Sequence, residues 1–143
     1  MPVKTADAVW NGSLMEGKGH LKSQSGVLDA DYSWKARAGD DAGTNPEELI
    51  AAAHAGCFSM ALAHMLAEAG HKATKIATRA EVVFGQVPGG FAISKIVLKT
   101  EGTVPGLDEA EFQKHAEVAK AGCPVSKALA SVPIVLEVKF VKG

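Results

Sequence analysis

Cysteine is scarce in this 143-residue chain: there are two, Cys57 and Cys123. They form no CxxC pair, and no Cys/His spacing of a zinc module occurs. That excludes a disulfide-stapled fold and a finger-type metal site, and leaves two thiols that are either reactive or inert. An excess of charge of either sign is also missing. The net charge is -1 and the pI near 6.5, with no basic run and no interleaving of basic with aromatic residues, so nucleic-acid binding is excluded. The opening "MPVKTADAVW" lacks the apolar core of a signal peptide, which makes the cytoplasm the expected location. Repeats, linkers and low-complexity tracts are absent too. With 47% hydrophobic and 22% charged residues, the length suits a single domain over residues 1–143.

Long hydrophobic runs are limited to one. Residues 49–67 are apolar enough to raise a membrane question. The run is rich in alanine, contains His54, Ser59 and His64, and is flanked by Glu47, Glu48 and Glu68 rather than by lysine or arginine. The expectation is therefore a buried helix of a soluble protein, with no membrane partner. Its start is well marked: Asn45 can cap it, Pro46 fits the first helical position, and Glu47 and Glu48 favour the positive end of the dipole. From Leu49 onward no polar face appears, so every side needs cover. A sheet can cover one side of such a helix; a second subunit is inferred for the other.

Around this helix the chain reads as α+β, in the order βββ-α-ββ-α-β. "DAVWNGSLMEGKGHLKS" holds one or two short strands punctuated by glycine. "VLDADYSWK" alternates strictly, with Leu28, Ala30, Tyr32 and Trp34 on one face. "ARAGDDAG" follows as a loop containing Arg37. Residues 73–86 and 90–103 form a hairpin across "VPGG". A helix capped by Asp108 ends at Gly122, with a staple between Leu107 and Phe112. "CPVSKALAS" restarts a short helix at Pro124, and Ile134, Leu136, Val138 and Phe140 line a last strand.

Read by local rules, Cys57 is core, since a cysteine amid Ala, Gly and Phe is ordinary packing and three helical turns dilute any dipole effect. Cys123 ranks above it as the attacking thiol, because it sits where a new helix begins, just before Pro124. His54 shares the helix face of Cys57 three residues earlier, so a Cys–His pair is open beside a buried structural histidine. His64 lies about 15 Å from His54 along the axis, too far for one metal ion, and no third ligand offers itself. His20, His71 and His115 have no partner pattern and read as surface residues. Arg37, Glu47 and Glu48 read as a solvated arginine and two first-turn acids.

Two stretches taken together change that ranking. "TNPEELIAAAHAGCFSMAL" and, about 66 residues after its cysteine, "AGCPVSKAL" closely resemble the OsmC/Ohr family of thiol peroxidases, and the OsmC branch more than the Ohr branch. The order of elements agrees along the whole chain. The resemblance implies an antiparallel-rich sheet wrapped around a buried central helix, in an intertwined homodimer. It implies Cys57 as the peroxidatic cysteine and Cys123 as the resolving one. It also implies Arg37 as stabiliser of the thiolate and Glu47 as the residue that orients Arg37. No flavin, haem or metal is required, and the resemblance implies an external dithiol reductant of dihydrolipoyl type.

The chemistry is consistent with those roles. Only a thiolate attacks a peroxide O–O bond, and bringing a cysteine of pKa near 8.5 to half thiolate at pH 7 needs roughly 2 kcal/mol. One guanidinium about 4 Å away supplies roughly 4 kcal/mol at an effective dielectric near 20, before desolvation. Ten helical residues separate Glu47 from Cys57, about 15 Å of rise. Arg37 and Glu47 are therefore expected to complete the site of a partner subunit. The apolar surroundings of Cys57 favour organic hydroperoxides over hydrogen peroxide. Two rivals carry different expectations: a Cys57–His54 hydrolase, which leaves Cys123 without a task, and a non-enzymatic carrier of apolar ligands with passive cysteines.

Overall fold

A computed structural model describes residues 1–143 and divides them into two compact units, residues 1–49 and 50–143. The first unit is a three-stranded antiparallel meander of β1 (Ala6–Asn11), β2 (Lys18–Ser23) and β3 (Asp29–Tyr32), followed by α1 (Trp34–Ala38). Gly19 lies between the rings of Trp10 and Tyr32, where a side chain would collide with both. Those rings stand 5.3 Å apart. The alternating pattern of "VLDADYSWK" overshoots here. Ser33 turns the chain by accepting the Ala36 N–H at 3.0 Å, so the strand stops at Tyr32 and Trp34 opens a helix. Arg37 consequently sits in α1, not in a loop. His20 is exposed, as expected, but it has partners that the sequence pattern does not show. The β2–β3 register places it opposite Asp31, and its ring nitrogens contact Asp31 at 2.7 Å and Asp29 at 2.5 Å. These two carboxylates, Asp31 foremost, raise the pKa of this exposed histidine.

Helix α2 (Pro46–Glu68) starts as its signals indicate, with Asn45 Oδ1 accepting the Glu48 N–H at 2.8 Å. Its first turn belongs to the first unit and the remainder to the second. There His54, Phe58, Leu62 and Leu66, spaced four apart, form its buried stripe. Ala52, Ala53, Gly56, Met60 and His64 on the remaining surface are exposed. By length and composition alone α2 could cross a membrane; in this chain one stripe of it is buried in the core and its other faces are largely exposed.

The second unit continues with the long hairpin β4 (Lys75–Val87) and β5 (Gly90–Thr103), which turns at the expected "VPGG". Helix α3 (Glu109–Gly122) is capped by Asp108 Oδ1, which accepts the Glu111 N–H at 2.8 Å. Cys123 ends α3 and caps the short α4 (Pro124–Ala128). The chain then returns as β6 (Ile134–Phe140) parallel to β5, because a helical crossover, unlike a hairpin, brings a strand back in the same direction. The core joins Phe58, Leu62 and Leu66 of α2 to Ile96 and Leu98 of β5 and to Phe112, Ala116 and Ala119 of α3, with Cys123 among them.

Phe112 lies directly over Gly102 of β5, leaving no room for a Cβ there, and packs against Phe140 at 5.3 Å between ring centroids. Gly102→Ala should therefore lower stability by about 1–3 kcal/mol through overpacking. Urea unfolding followed by circular dichroism checks this; an unchanged midpoint would contradict the packing described.

Candidate active site

Both cysteines are free thiols. Cys57 sits in mid-helix on α2 and is partly exposed, whereas Cys123, at the α3–α4 junction, is fully buried. The fold brings the two side chains into direct interaction, thiol against thiol. Cys123 Sγ serves as the helix cap of α4, accepting the Ser126 N–H at 3.4 Å. A thiol can do this because Pro124, at the first helical position, donates nothing and leaves the next N–H groups as the ones to satisfy.

The environments of the two sulfurs differ. For Cys57 burial acts most strongly and pushes the thiol pKa up. An N–H from Val125 opposes that, and the neighbouring Cys123 thiol adds to it. For Cys123 burial is again the largest single influence and raises the pKa. Hydrogen bonds from the Ser126 hydroxyl, the Ser126 N–H, the Cys57 thiol and the Val125 N–H together outweigh it, so the net direction is down. The two sulfurs thus compete for one proton and titrate as a pair. Among the groups of residues 50–143, the anion settles on Cys123. This agrees with the local rules that rank Cys123 first, and it means that a thiolate at Cys57 requires a positive charge from elsewhere.

Residues 1–49 hold a paired arginine of their own. Arg37 Nε lies 3.0 and 3.1 Å from the two Glu47 carboxylate oxygens, and Nη2 lies 2.7 Å from Oε1. This fork-to-fork pair is among the strongest side-chain contacts available. Two local structures build it. Ser33 starts α1 so that Arg37 falls in its last turn, and Asn45 holds the entry to α2 by donating from Nδ2 to the Ala36 carbonyl at 3.0 Å. Glu47 is 6% exposed, so its carboxylate depends on the guanidinium. The same arginine borders a cleft of about 280 Å³ walled by Trp10, Leu14, Tyr32, Trp34 and Pro46. A mostly apolar cleft with a cation at its edge can accept an alkyl or aryl group bearing a small polar head.

His54 does not serve Cys57. It is fully buried, its Nε2 lies 2.7 Å from Ser126 Oγ, and its Nδ1 has no hydrogen-bond partner. Burial lowers its pKa. A Cys57–His54 hydrolase pair therefore does not form, and the Ser126–His54 pair lacks both an orienting group and an opening to substrate. Ser126 is a polar residue of this cluster that the sequence reading passes over; its position three residues after a capping cysteine is the signal that marks it. No group of three or more His, Cys, Asp or Glu residues is arranged to hold a metal ion.

Comparison with known proteins identifies the family. The family model for OsmC-like protein matches residues 39–139. The chain is 51% identical over 127 residues to Peroxiredoxin OsmC of Escherichia coli strain K12, covering 88% of this chain and 89% of that one. It is 35% identical over 125 residues to the organic hydroperoxide resistance protein OhrB of Bacillus subtilis, covering 85% and 89% respectively. Among solved structures, that of an organic hydroperoxide resistance protein from Elizabethkingia anophelis superposes with a TM-score of 0.75 at 30% identity, over 98% of this chain and 99% of that one. With two long cysteine motifs, the order of elements and the match over most of its length in agreement, the chain belongs to the OsmC-like protein family.

Proposed function

We propose that this protein reduces organic hydroperoxides to alcohols through a two-cysteine cycle, with Cys57 as the peroxidatic and Cys123 as the resolving residue. Its membership in a family of peroxiredoxin and organic hydroperoxide resistance proteins makes it a cysteine-based peroxidase. The observation that carries the finer reading is the direct thiol-to-thiol interaction of Cys57 and Cys123, cysteines 66 positions apart in sequence. Cys57 is the partly exposed member and so the one a peroxide can reach. Its thiolate attacks the terminal peroxide oxygen, the O–O bond breaks, and the alkoxide leaves as the alcohol on taking up a proton. Cys123 then displaces hydroxide from the Cys57 sulfenic acid, giving a disulfide and water. An external dithiol of dihydrolipoyl type reduces that disulfide by exchange. No cofactor takes part in these steps.

Arg37 supplies the charge that moves the shared proton off Cys57, and Glu47 fixes the guanidinium. Glu47 and Cys57 stand ten positions apart on one continuous helix, about 15 Å of rise. The pair is therefore assigned to the Cys57 of a second subunit in a homodimer. The exposed small residues of α2, Ala52, Ala53 and Gly56, with the exposed apolar Met60 on the same helix, support a close-packed helix contact between subunits. The aromatic cleft beside Arg37 supports an apolar hydroperoxide as substrate. The whole chain is read as one functional domain in the cytoplasm.

The test is intact mass spectrometry under non-reducing conditions after matched doses of cumene hydroperoxide and hydrogen peroxide. A loss of two hydrogens, mapped to Cys57–Cys123, should form faster with the organic peroxide. Persistent free thiols with both oxidants would reject the reading.

A further inference from the structure

Ser126 Oγ stands between two groups: His54 Nε2 at 2.7 Å and the sulfur of Cys123. All three residues are buried, with His54 and Cys123 at 0% and Ser126 at 4% exposure. The peroxidase cycle as described uses neither His54 nor Ser126. Yet a fully buried imidazole with one ring nitrogen unmatched is an expensive thing to keep in a core that alanine and leucine otherwise fill.

The unmatched nitrogen decides where the protons lie. Burial keeps the imidazole neutral at pH 7, so it carries one N–H. A proton on Nδ1 would be a buried donor with no acceptor; a bare Nδ1 is the lesser penalty. The proton is therefore on Nε2, and Nε2–H donates to Ser126 Oγ. With that lone pair engaged, the serine hydroxyl cannot donate back to the imidazole, and its own hydrogen turns to Cys123 Sγ. The Ser126 N–H meets the same sulfur at 3.4 Å. The donors run in one direction, from His54 to Ser126 to Cys123, and end on the sulfur.

We propose that His54 is a positioning residue for the resolving step, holding the Ser126 hydroxyl so that it donates to Cys123 Sγ and prepares that sulfur to attack oxidised Cys57. This rests on the assignment of Cys123 as resolving residue. In the step itself the Cys123 Sγ–Cys57 Sγ bond forms as the Cys57 sulfenic S–O bond breaks. The departing hydroxide takes up the proton that Cys123 has released and leaves as water. The Ser126 donor stabilises the anion on Cys123 that carries out the attack. It does not touch Cys57, and because the two sulfurs share a proton, its loss leaves more of the anion on Cys57, so the peroxide step should not be slowed.

Stopped-flow oxidation with cumene hydroperoxide, with sulfenic acid trapped by dimedone at intervals, separates the two steps. In His54→Leu the sulfenate should form at least as fast as in the wild type and resolve about tenfold more slowly, the loss of one charge-assisted hydrogen bond. Ser126→Ala should match it, and the double variant should be no slower, since both substitutions cut one chain. His54→Gln, whose amide N–H reaches about where Nε2 does, should restore resolution to within about threefold. A second readout needs no peroxide: in the Cys57→Ser background, thiolate absorbance at 240 nm titrates Cys123 alone. Its midpoint should rise with His54→Leu and return with His54→Gln.

Wild-type resolution in folded His54→Leu and Ser126→Ala, or His54→Gln as slow as His54→Leu, would overturn the proposal. So would an unmoved titration midpoint, which also decides the matter should His54→Leu fold poorly, because Ser126→Ala tests the same bond. Absence of any trapped sulfenate in the wild-type protein is a different outcome: it would remove the peroxidase assignment of Cys57 and this inference with it.

Discussion

Cys57→Ser should reduce hydroperoxide consumption to the uncatalysed background, whereas Cys123→Ser should consume one equivalent per subunit rapidly, up to one more as the sulfenic acid is over-oxidised, and then stop. A serine hydroxyl is not ionised at neutral pH and is a poor nucleophile toward peroxide oxygen, so no other group in the site replaces the Cys57 thiolate. Without Cys123 the first attack still occurs, but the sulfenic acid has no intramolecular thiol and moves up the oxidation ladder to sulfinic acid under excess peroxide. The pair of outcomes separates the roles of two sulfurs that lie in contact. Coupled peroxide assays give the turnover, and intact mass gives the added oxygens. Full activity in Cys57→Ser would favour the carrier reading with passive cysteines. A Cys57 left unoxidised in Cys123→Ser would reverse the two roles, in the direction that the proton affinities within residues 50–143 by themselves favour.

Arg37→Ala should lower the rate of peroxide attack at pH 7 on the order of 50-fold, and its pH–rate profile should move to the alkaline side. Without a cation, Cys57 sits above the ordinary thiol pKa through burial and the neighbouring sulfur. Its thiolate population at neutrality then falls, and the attack rate falls with it. The sign follows: removing a positive charge disfavours the anion, so activity returns as pH rises through the higher pKa. Arg37→Lys keeps the charge but cannot form the bidentate pair with Glu47, and should fall between the two. Since Arg37→Ala also leaves the buried Glu47 carboxylate unpaired, the fold should be checked by circular dichroism alongside the profile. Complementation then identifies the subunit. If Arg37 acts across a dimer interface, mixing and reannealing Cys57→Ser with Arg37→Ala protein yields heterodimers with one intact site. About a quarter of wild-type activity should return. If both residues act within one chain, no intact site forms and nothing returns.

Much of the architecture is legible from the residues because it rests on short-range rules. Asn45, Pro46 and the two glutamates set the start of α2, Asp108 sets that of α3, and "VPGG" places the hairpin turn. Where two short-range rules compete, the reading goes wrong. The alternation through Trp34 argues for strand, but the Ser33 hydroxyl caps the next turn and places Arg37 on a helix. His20 fails for another reason. Its carboxylate partners lie nine and eleven residues away, and only the strand register brings them together.

The sequence supplies the thiol motifs, the capping residues and the order of elements, since each depends on neighbours within a few positions along the chain. Tertiary folding settles what depends on distant residues. It brings Cys57 against Cys123, places the Arg37 guanidinium on the Glu47 carboxylate, and joins His54 to Ser126 across 72 positions. The proton affinities of the two sulfurs belong to this second class. They are fixed by burial and by hydrogen bonds from Val125 and Ser126, and a residue's type does not reveal how far water has been removed from it or which donors point at it.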